Sequence, residues 1–280
     1  MLKWYGYVGI ALVLLVQLNF FLSVQPFAEW YIPIVWYGYI LFVDSLIYKI
    51  KSDSLISRHK KEFVFMLLIS IPFWSLFEFY NIFTHSWIYY NYEWYVHLFD
   101  FSTIMPAILE TFMLFRAMKI FSRFDVRKKA IIKHKSIRLR YVHILTFFGG
   151  IIVLLPFIYP SIGFPIMWIG LFLLLDPLNY LLKKESLVAK VARGHKSTVI
   201  QLFLAGLVMG FFWEGWNYFA LPKWVYTLPA YIAPGIRLFE MPLFGYLGYL
   251  PFAAEVFLFY VFFRSIIFKN KLHILAIGVD

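Results

Sequence analysis

"PIVWYGYILFVDSLIYKIKSDSL", residues 33–55, stands again without a gap as "PIMWIGLFLLLDPLNYLLKKESL" at residues 165–187. Pro33, Trp36, Gly38, Asp44, Tyr48, Lys51, Ser54 and Leu55 fall on Pro165, Trp168, Gly170, Asp176, Tyr180, Lys183, Ser186 and Leu187. Each copy is an apolar run that ends in a basic loop. A run of ~20 apolar residues crosses ~30 Å of hydrocarbon. The stretch therefore raises two questions: whether the chain spans a membrane, and whether it is written twice.

Composition answers the first. Hydrophobic residues make up 62% of the chain and charged residues 15%, where a soluble domain carries about 25% charged residues. Apolar runs recur at 5–23, 30–48, 63–84, 97–116, 141–159, 161–182, 198–220 and 242–263. They predict an all-α polytopic membrane protein with eight transmembrane helices, because a β-barrel shows short alternating segments instead. The loops 49–62, 116–140 and 183–197 and both termini then share one side, with every Lys and Arg of the 26 except Lys223 and Arg237. The positive-inside rule makes that side cytoplasmic, in a plasma (inner) membrane. The net charge of +11 belongs to these loops and to anionic lipid headgroups rather than to nucleic acid. The first span follows Lys3 but lacks a small-residue cleavage site, so it reads as a retained span. With no cysteine, disulfides and thiol chemistry are excluded.

The match between the two stretches goes on. "FWSLFEFYNIFTHSWIYY" (73–90) aligns with "FFWEGWNYFALPKWVY" (211–226), pairing Glu78 with Glu214, Asn81 with Asn217, Trp87 with Trp224 and Tyr89 with Tyr226. "LFDF" (98–101) aligns with "LFEM" (238–241), setting Asp100 beside Glu240. "PAILETFMLF" (106–115) aligns with "PFAAEVFLFY" (251–260), setting Glu110 beside Glu255. Each half is thus a four-span unit, 1–124 and 141–268, joined by a basic linker, 125–140, and followed by a tail, 269–280. Four spans is an even number, so the halves are parallel repeats about an axis along the membrane normal.

Carboxylates inside a membrane are costly and mark function by default. The third and fourth spans of each half are antiparallel. They are expected to set Glu78 level with about residue 105, with Asp100 above it and Glu110 below, ~15 Å apart along the axis. Asn81 and Asn217 follow Glu78 and Glu214 by three residues, on one helix face, where an amide can donate to the carboxylate. The plain alternative is polar glue between spans. Asp44 and Asp176 sit near basic loops and read as structural partners of Lys or Arg. The outer ends are crowded by Trp74, Trp87, Trp94, Trp213, Trp216 and Trp224 with Tyr89, Tyr90, Tyr92, Tyr95 and Tyr226. Most of these read as an interfacial belt. Trp213 and Trp216, flanking Glu214, read best as a wall for a cation or a polyene. His85 and His97 lie near Glu78 and Asp100, but the second half repeats neither, so no metal is assigned. No nucleotide loop or nucleophile elbow is present, and no cofactor is expected.

The order of these residues resembles the small integral-membrane lycopene cyclase domain, the heterodimeric or fused carotenoid cyclase type. The residues that carry it are Glu78, His85, Trp87, Tyr89, Pro106, Glu110 and Phe112, then Glu214, Trp224, Tyr226, Pro251, Glu255 and Phe257. The family's Pro-x-Glu-Glu is not preserved: a single glutamate follows each proline by four residues. The resemblance implies an isomerase of carotenoid biosynthesis acting on a polyisoprenoid. The acids alone imply acid/base chemistry, with Glu110 or Glu255 as proton donor. Glu78, Asn81, Glu214 and Asn217, with Asp100, Glu240, Trp87 and Trp224, would position the substrate. The same acids suit a proton- or cation-coupled transporter with a wet path, or a sensor or assembly protein with no cavity.

Overall fold

The computed structural model describes residues 1–125, 139–228, 235–268 and residue 274. Nearly all of the basic linker and of the tail lies outside the described residues. The described chain is mainly helical: α1 (Trp4–Leu22), α2 (Tyr31–Lys51), α3 (Leu55–Arg58), α4 (Lys60–Thr84), α5 (Trp94–Ala117), α6 (Leu139–Ile158), α7 (Pro160–Leu181), α8 (Leu187–Ala192), α9 (Lys196–Phe219) and α10 (Tyr249–Ile267). Eight segments are long and apolar enough to cross a membrane, the eighth being Leu243–Ile267.

Seven of the eight run within a few residues of expectation. The last differs: the α-helix begins at Tyr249, after a 3-10 turn over Leu243–Gly248. Gly245 and Gly248 disfavour an earlier α-helical start. Pro251 then sits in the first turn of α10, where the missing N–H costs nothing. Several helices stop on a residue in the left-handed region: Ser23, Ser52 and His85, at φ 51°, 56° and 47°. Each returns its N–H to a carbonyl four residues back, closing the last turn.

In the N-terminal part α1 lies along α2, and both α2 and α4 pack on α5. In the C-terminal part α6 lies along α7, and both α7 and α9 pack on α10. The two parts meet through α4 and α5 against α7, α9 and α10. Gly9 and Gly38 let α1 and α2 touch backbone to backbone: a Cβ on Gly9 would stand 2.5 Å from the Gly38 carbonyl oxygen. Small residues at such crossings are how apolar helices gain close packing without a hydrophobic driving force between them. α1 and α6 carry large exposed apolar faces, while α5 is largely enclosed.

At the basic end, Asp44 and Asp176 do the same job. Asp44 accepts from Ser54 Oγ (2.8 Å), the Ile56 N–H (3.0 Å) and the Tyr5 hydroxyl (2.6 Å). Asp176 accepts from Ser186 Oγ (2.8 Å) and the Leu187 N–H (2.6 Å). Each therefore caps the short helix that follows, α3 or α8, by meeting its orphan N–H groups. They are structural as expected, but their partners are hydroxyls and backbone rather than Lys or Arg.

At the opposite, aromatic end two short strands, β1 (Trp87–Tyr90) and β2 (Lys223–Tyr226), pair antiparallel. Trp87 lies opposite Tyr226 and Tyr89 opposite Trp224. Further strands, β3 (Arg237–Leu238) and β4 (Met241–Pro242), form a small hairpin.

Candidate functional site

Beneath the β1–β2 pair lies a narrow cavity of about 60 Å³, walled by residues of both the N-terminal and the C-terminal helices. Its walls are rings. Trp36 of α2 packs on Trp213 and Trp216 of α9, with centroids 5.2 and 4.6 Å apart. Trp168 of α7 stacks on Phe77 of α4 (5.1 Å, 15°) and meets Phe252 of α10 edge-on (5.4 Å, 90°). Trp36 and Trp168 occupy one position in the two aligned stretches, and each reaches across to the other part's helices. Trp74, Trp87, Trp213, Trp224, Tyr89, Tyr226 and Tyr249 add further rings to the lining.

These rings are held by two carboxylates. Glu78 Oε1 accepts from Trp74 Nε1 (2.7 Å), Trp87 Nε1 (3.3 Å) and the Tyr89 hydroxyl (2.5 Å). Glu214 Oε1 accepts from the hydroxyls of Tyr226 (2.8 Å) and Tyr249 (2.6 Å). Tyr249 comes from α10 and fits because Gly210 leaves room: a Cβ there would stand 2.3 Å from the Tyr249 ring. In α4 the aligned residue is Trp74, which makes the corresponding bond itself. Burial, and then the neighbouring carboxylate, pushes the phenols of Tyr89 and Tyr226 well above their ordinary range. Both therefore remain donors.

Asn81 and Asn217 bond the strands rather than the glutamates they were expected to meet. Asn217 donates to the Trp224 carbonyl and accepts from the Trp224 N–H, both at 2.8 Å. Asn81 donates to the Trp87 carbonyl (2.8 Å) and accepts from the Ser86 and Trp87 N–H groups (2.8 and 3.1 Å). With donor and acceptor committed to backbone, neither amide reaches its glutamate.

The depth order also differs from expectation. The Ser70 hydroxyl donates to the Phe101 carbonyl and accepts from the Met105 N–H (3.0 Å). That contact sets Ser70 level with about residue 103. At ~1.5 Å per residue, Glu78 then lies nearer the aromatic end than Asp100, by roughly 7 Å. Ser70 inserts beside the carbonyl and N–H that an undisturbed helix would join, one residue before Pro106.

Of the acids singled out in the sequence, only Asp100 lines the cavity. The residue is 9% exposed, and neither oxygen has a hydrogen bond of good geometry; the Tyr92 hydroxyl is the donor within its reach. His97, one turn earlier on the same face, also lines it and stacks on Tyr92 (4.5 Å, 9°), with Nδ1 unpartnered. The indole N–H of Trp36 is a third unpartnered polar group among the lining residues. Among the described residues no three of His, Asp and Glu gather into a metal-binding group.

Glu110 and Glu255 are fully buried but lie outside the cavity. Ten residues turn an α-helix through ~1000°, so Glu110 points about 80° away from Asp100 as well as deeper. It sits beside Asp44, the one carboxyl within hydrogen-bonding reach of it, and makes no other side-chain bond among the described residues. Glu255 takes a 3.3 Å bond from the Phe172 N–H. Glu240 faces Lys223 (3.3 Å) and is likewise absent from the lining. Trp216 packs behind Trp36 as a supporting ring. Trp36, Trp168, Tyr249 and Phe252 were not singled out as site residues. The Trp36–Trp168 match was a signal for the first two, whereas Tyr249 aligns with Ile104 and gave none. Comparison with family models, with curated proteins and with solved structures returns no match.

Proposed function

We propose that this is an integral membrane protein of two parallel four-helix repeats, basic end and termini cytoplasmic, that performs acid chemistry on one end of a polyisoprenoid chain. The repeat reading is supported by the matched Trp36/Trp168, Asp44/Asp176, Asn81/Asn217 and Glu78/Glu214 environments, and by a strand pair symmetric about Ile88 and Val225. A plasma-membrane location rests on the charge asymmetry of the loops alone.

The observation that carries the chemistry is Asp100: a buried carboxyl with no well-formed hydrogen bond and only the Tyr92 hydroxyl in reach, in a cavity walled by indole and phenol rings. A lone ionised carboxylate in such a place is very costly, and a neutral acid is not. In the proposed reaction the carboxyl O–H protonates a carbon–carbon double bond. The pair of electrons leaves the double bond for the new C–H bond, and the adjacent carbon becomes cationic. Aromatic faces stabilise that cation. The aspartate then takes a proton from a neighbouring carbon, restoring the acid and yielding an isomer. No cofactor enters the balance. The narrow cavity suits an extended chain end, and buried acids with a dry wall fit this chemistry better than a hydrated transport path.

The test is mass spectrometry of lipids and pigments that co-purify with the wild type, Asp100→Asn and Glu110→Gln. An isoprenoid whose product form disappears only in Asp100→Asn supports the proposal. Loss in Glu110→Gln alone returns the role to the deeper acid. Absence of any isoprenoid under gentle extraction, with a bound organic cation in its place, overturns it in favour of transport.

A further inference from the structure

A second cavity, about 600 Å³, opens at the basic end between the ends of α6, α7 and α10 and the short helix α8. From its lining residues we infer a binding site for a phosphate-bearing anion, presented as the headgroup of an anionic phospholipid. The inference rests on the membrane reading above but not on the chemistry proposed for Asp100.

Five cations line this cavity against one carboxylate, Glu185. Lys190 is paired with Glu185 at 2.9 Å. Arg264 is paired with Glu62 through Nε (2.6 Å) and Nη2 (3.0 Å). Lys183, Lys184 and Arg193 are left without a counter-charge among the described residues. All three are exposed, so their charges are solvated and ready to exchange water for an anion. A lone surface lysine is no site, but here the three converge on one concave space rather than spreading over a face.

The rest of the lining identifies the source of the anion. Leu181, Val261 and Phe268 close the side toward the apolar helices, and Leu139 adds an exposed apolar rim. A free phosphate has no use for these groups. A phospholipid does, because its acyl chains leave the headgroup along an apolar wall. Basic pockets between helix ends at the cytoplasmic boundary have this combination.

The experiment uses the full-length protein in detergent micelles, read by native mass spectrometry and thermal unfolding. The probes are a phosphatidylglycerol, a phosphatidylcholine of the same chains, and inorganic phosphate. The variants are K183Q/K184Q/R193Q, a control losing equal charge at the same end (K49Q/K60Q/K61Q), and Glu185→Gln. The wild type is expected to retain phosphatidylglycerol over phosphatidylcholine. The control should keep that preference. The cavity variant should lose roughly a hundredfold in affinity, each basic group near an anionic lipid contributing about fivefold. Glu185→Gln should bind more tightly, because it removes the only carboxylate among the described lining residues and frees Lys190. Its behaviour keeps the test informative if the triple variant folds poorly. Stabilisation by phosphate alone, lost in the cavity variant, would keep the anion site and replace the lipid by a free anion. Equal losses in cavity and control variants, or no tightening in Glu185→Gln, would overturn the inference. Because the readout is lipid retention, its failure leaves the Asp100 experiment untouched.

Discussion

Asn217 occupies both backbone groups of Trp224 with one amide, the service a neighbouring strand would otherwise supply. Asn217→Ala leaves a half-buried N–H and C=O of Trp224 unmet, a loss of about 1 kcal/mol or somewhat more. Asn217→Asp keeps the acceptor for the Trp224 N–H and loses only the donor. Thermal unfolding in detergent is expected to rank wild type above Asp above Ala; equal stability of Ala and wild type would contradict the pinning role. The spacing Glu-x-x-Asn was plain in the sequence, and so was its repetition. Its purpose was not, because helical spacing assigns a face but not the direction in which an amide turns. The partner here is a segment six or seven residues downstream, beyond the end of the helix. Asp44 and Asp176 show the same limit: their structural role was legible, their partners were not.

The paired strands β1 and β2 couple the site's two glutamates to its rings. Tyr89 and Tyr226 lie on these strands, one opposite Trp224 and the other opposite Trp87, and each donates its hydroxyl to a glutamate. Their phenols are raised well above the ordinary range of tyrosine, chiefly by burial. An unfolded tyrosine ionises near pH ~10. The folded protein holds these protons more tightly than the unfolded chain does. The stability linked to them is therefore complete below the unfolded value and is lost as pH rises from there through the folded values. Ultraviolet titration should show these two phenols ionising only with unfolding, and Tyr89→Phe/Tyr226→Phe should shrink that late component by two phenols while leaving the share of other buried tyrosines such as Tyr92. Ionisation of the full tyrosine complement before any loss of helicity would refute this. The helices themselves were legible from apolar run length. The strand pair was not, because its partners lie far apart in sequence and each strand is only four residues long. The shared aromatic spacing Trp-x-Tyr announced only that both copies existed.

Across the whole molecule the N-terminal and C-terminal helices are fastened at two heights. The strand pair joins them at the aromatic end. At the basic end Glu62 of α4 takes a two-point bond from Arg264 of α10 and a third from the Tyr260 hydroxyl (2.6 Å). Between these fastenings lie the ring-walled cavity and the packed α5 and α10. Repetition in the sequence exposed everything that occurs twice, and Glu62 does not: the residue as far ahead of Glu214 as Glu62 is ahead of Glu78 is Thr198. The clamp was therefore invisible to that comparison, as was Asp100's isolation from Glu240, which depends on a turn that hands Glu240 to Lys223. Both members of the clamp are buried, Glu62 and Arg264 each 3% exposed. Removing one charge strands the other in an apolar surround, a cost of about 3–5 kcal/mol, whereas replacing both by apolar groups of similar size is often nearly neutral. Arg264→Met and Glu62→Leu are each expected to lower the unfolding temperature markedly, and the double variant to recover most of the loss. Additive losses in the double variant would mean that the pair is a net source of stability rather than a register pin. Recovery of stability with altered occupancy of the ring-walled cavity would mean that the clamp's task is to fix how the two sets of helices meet around it.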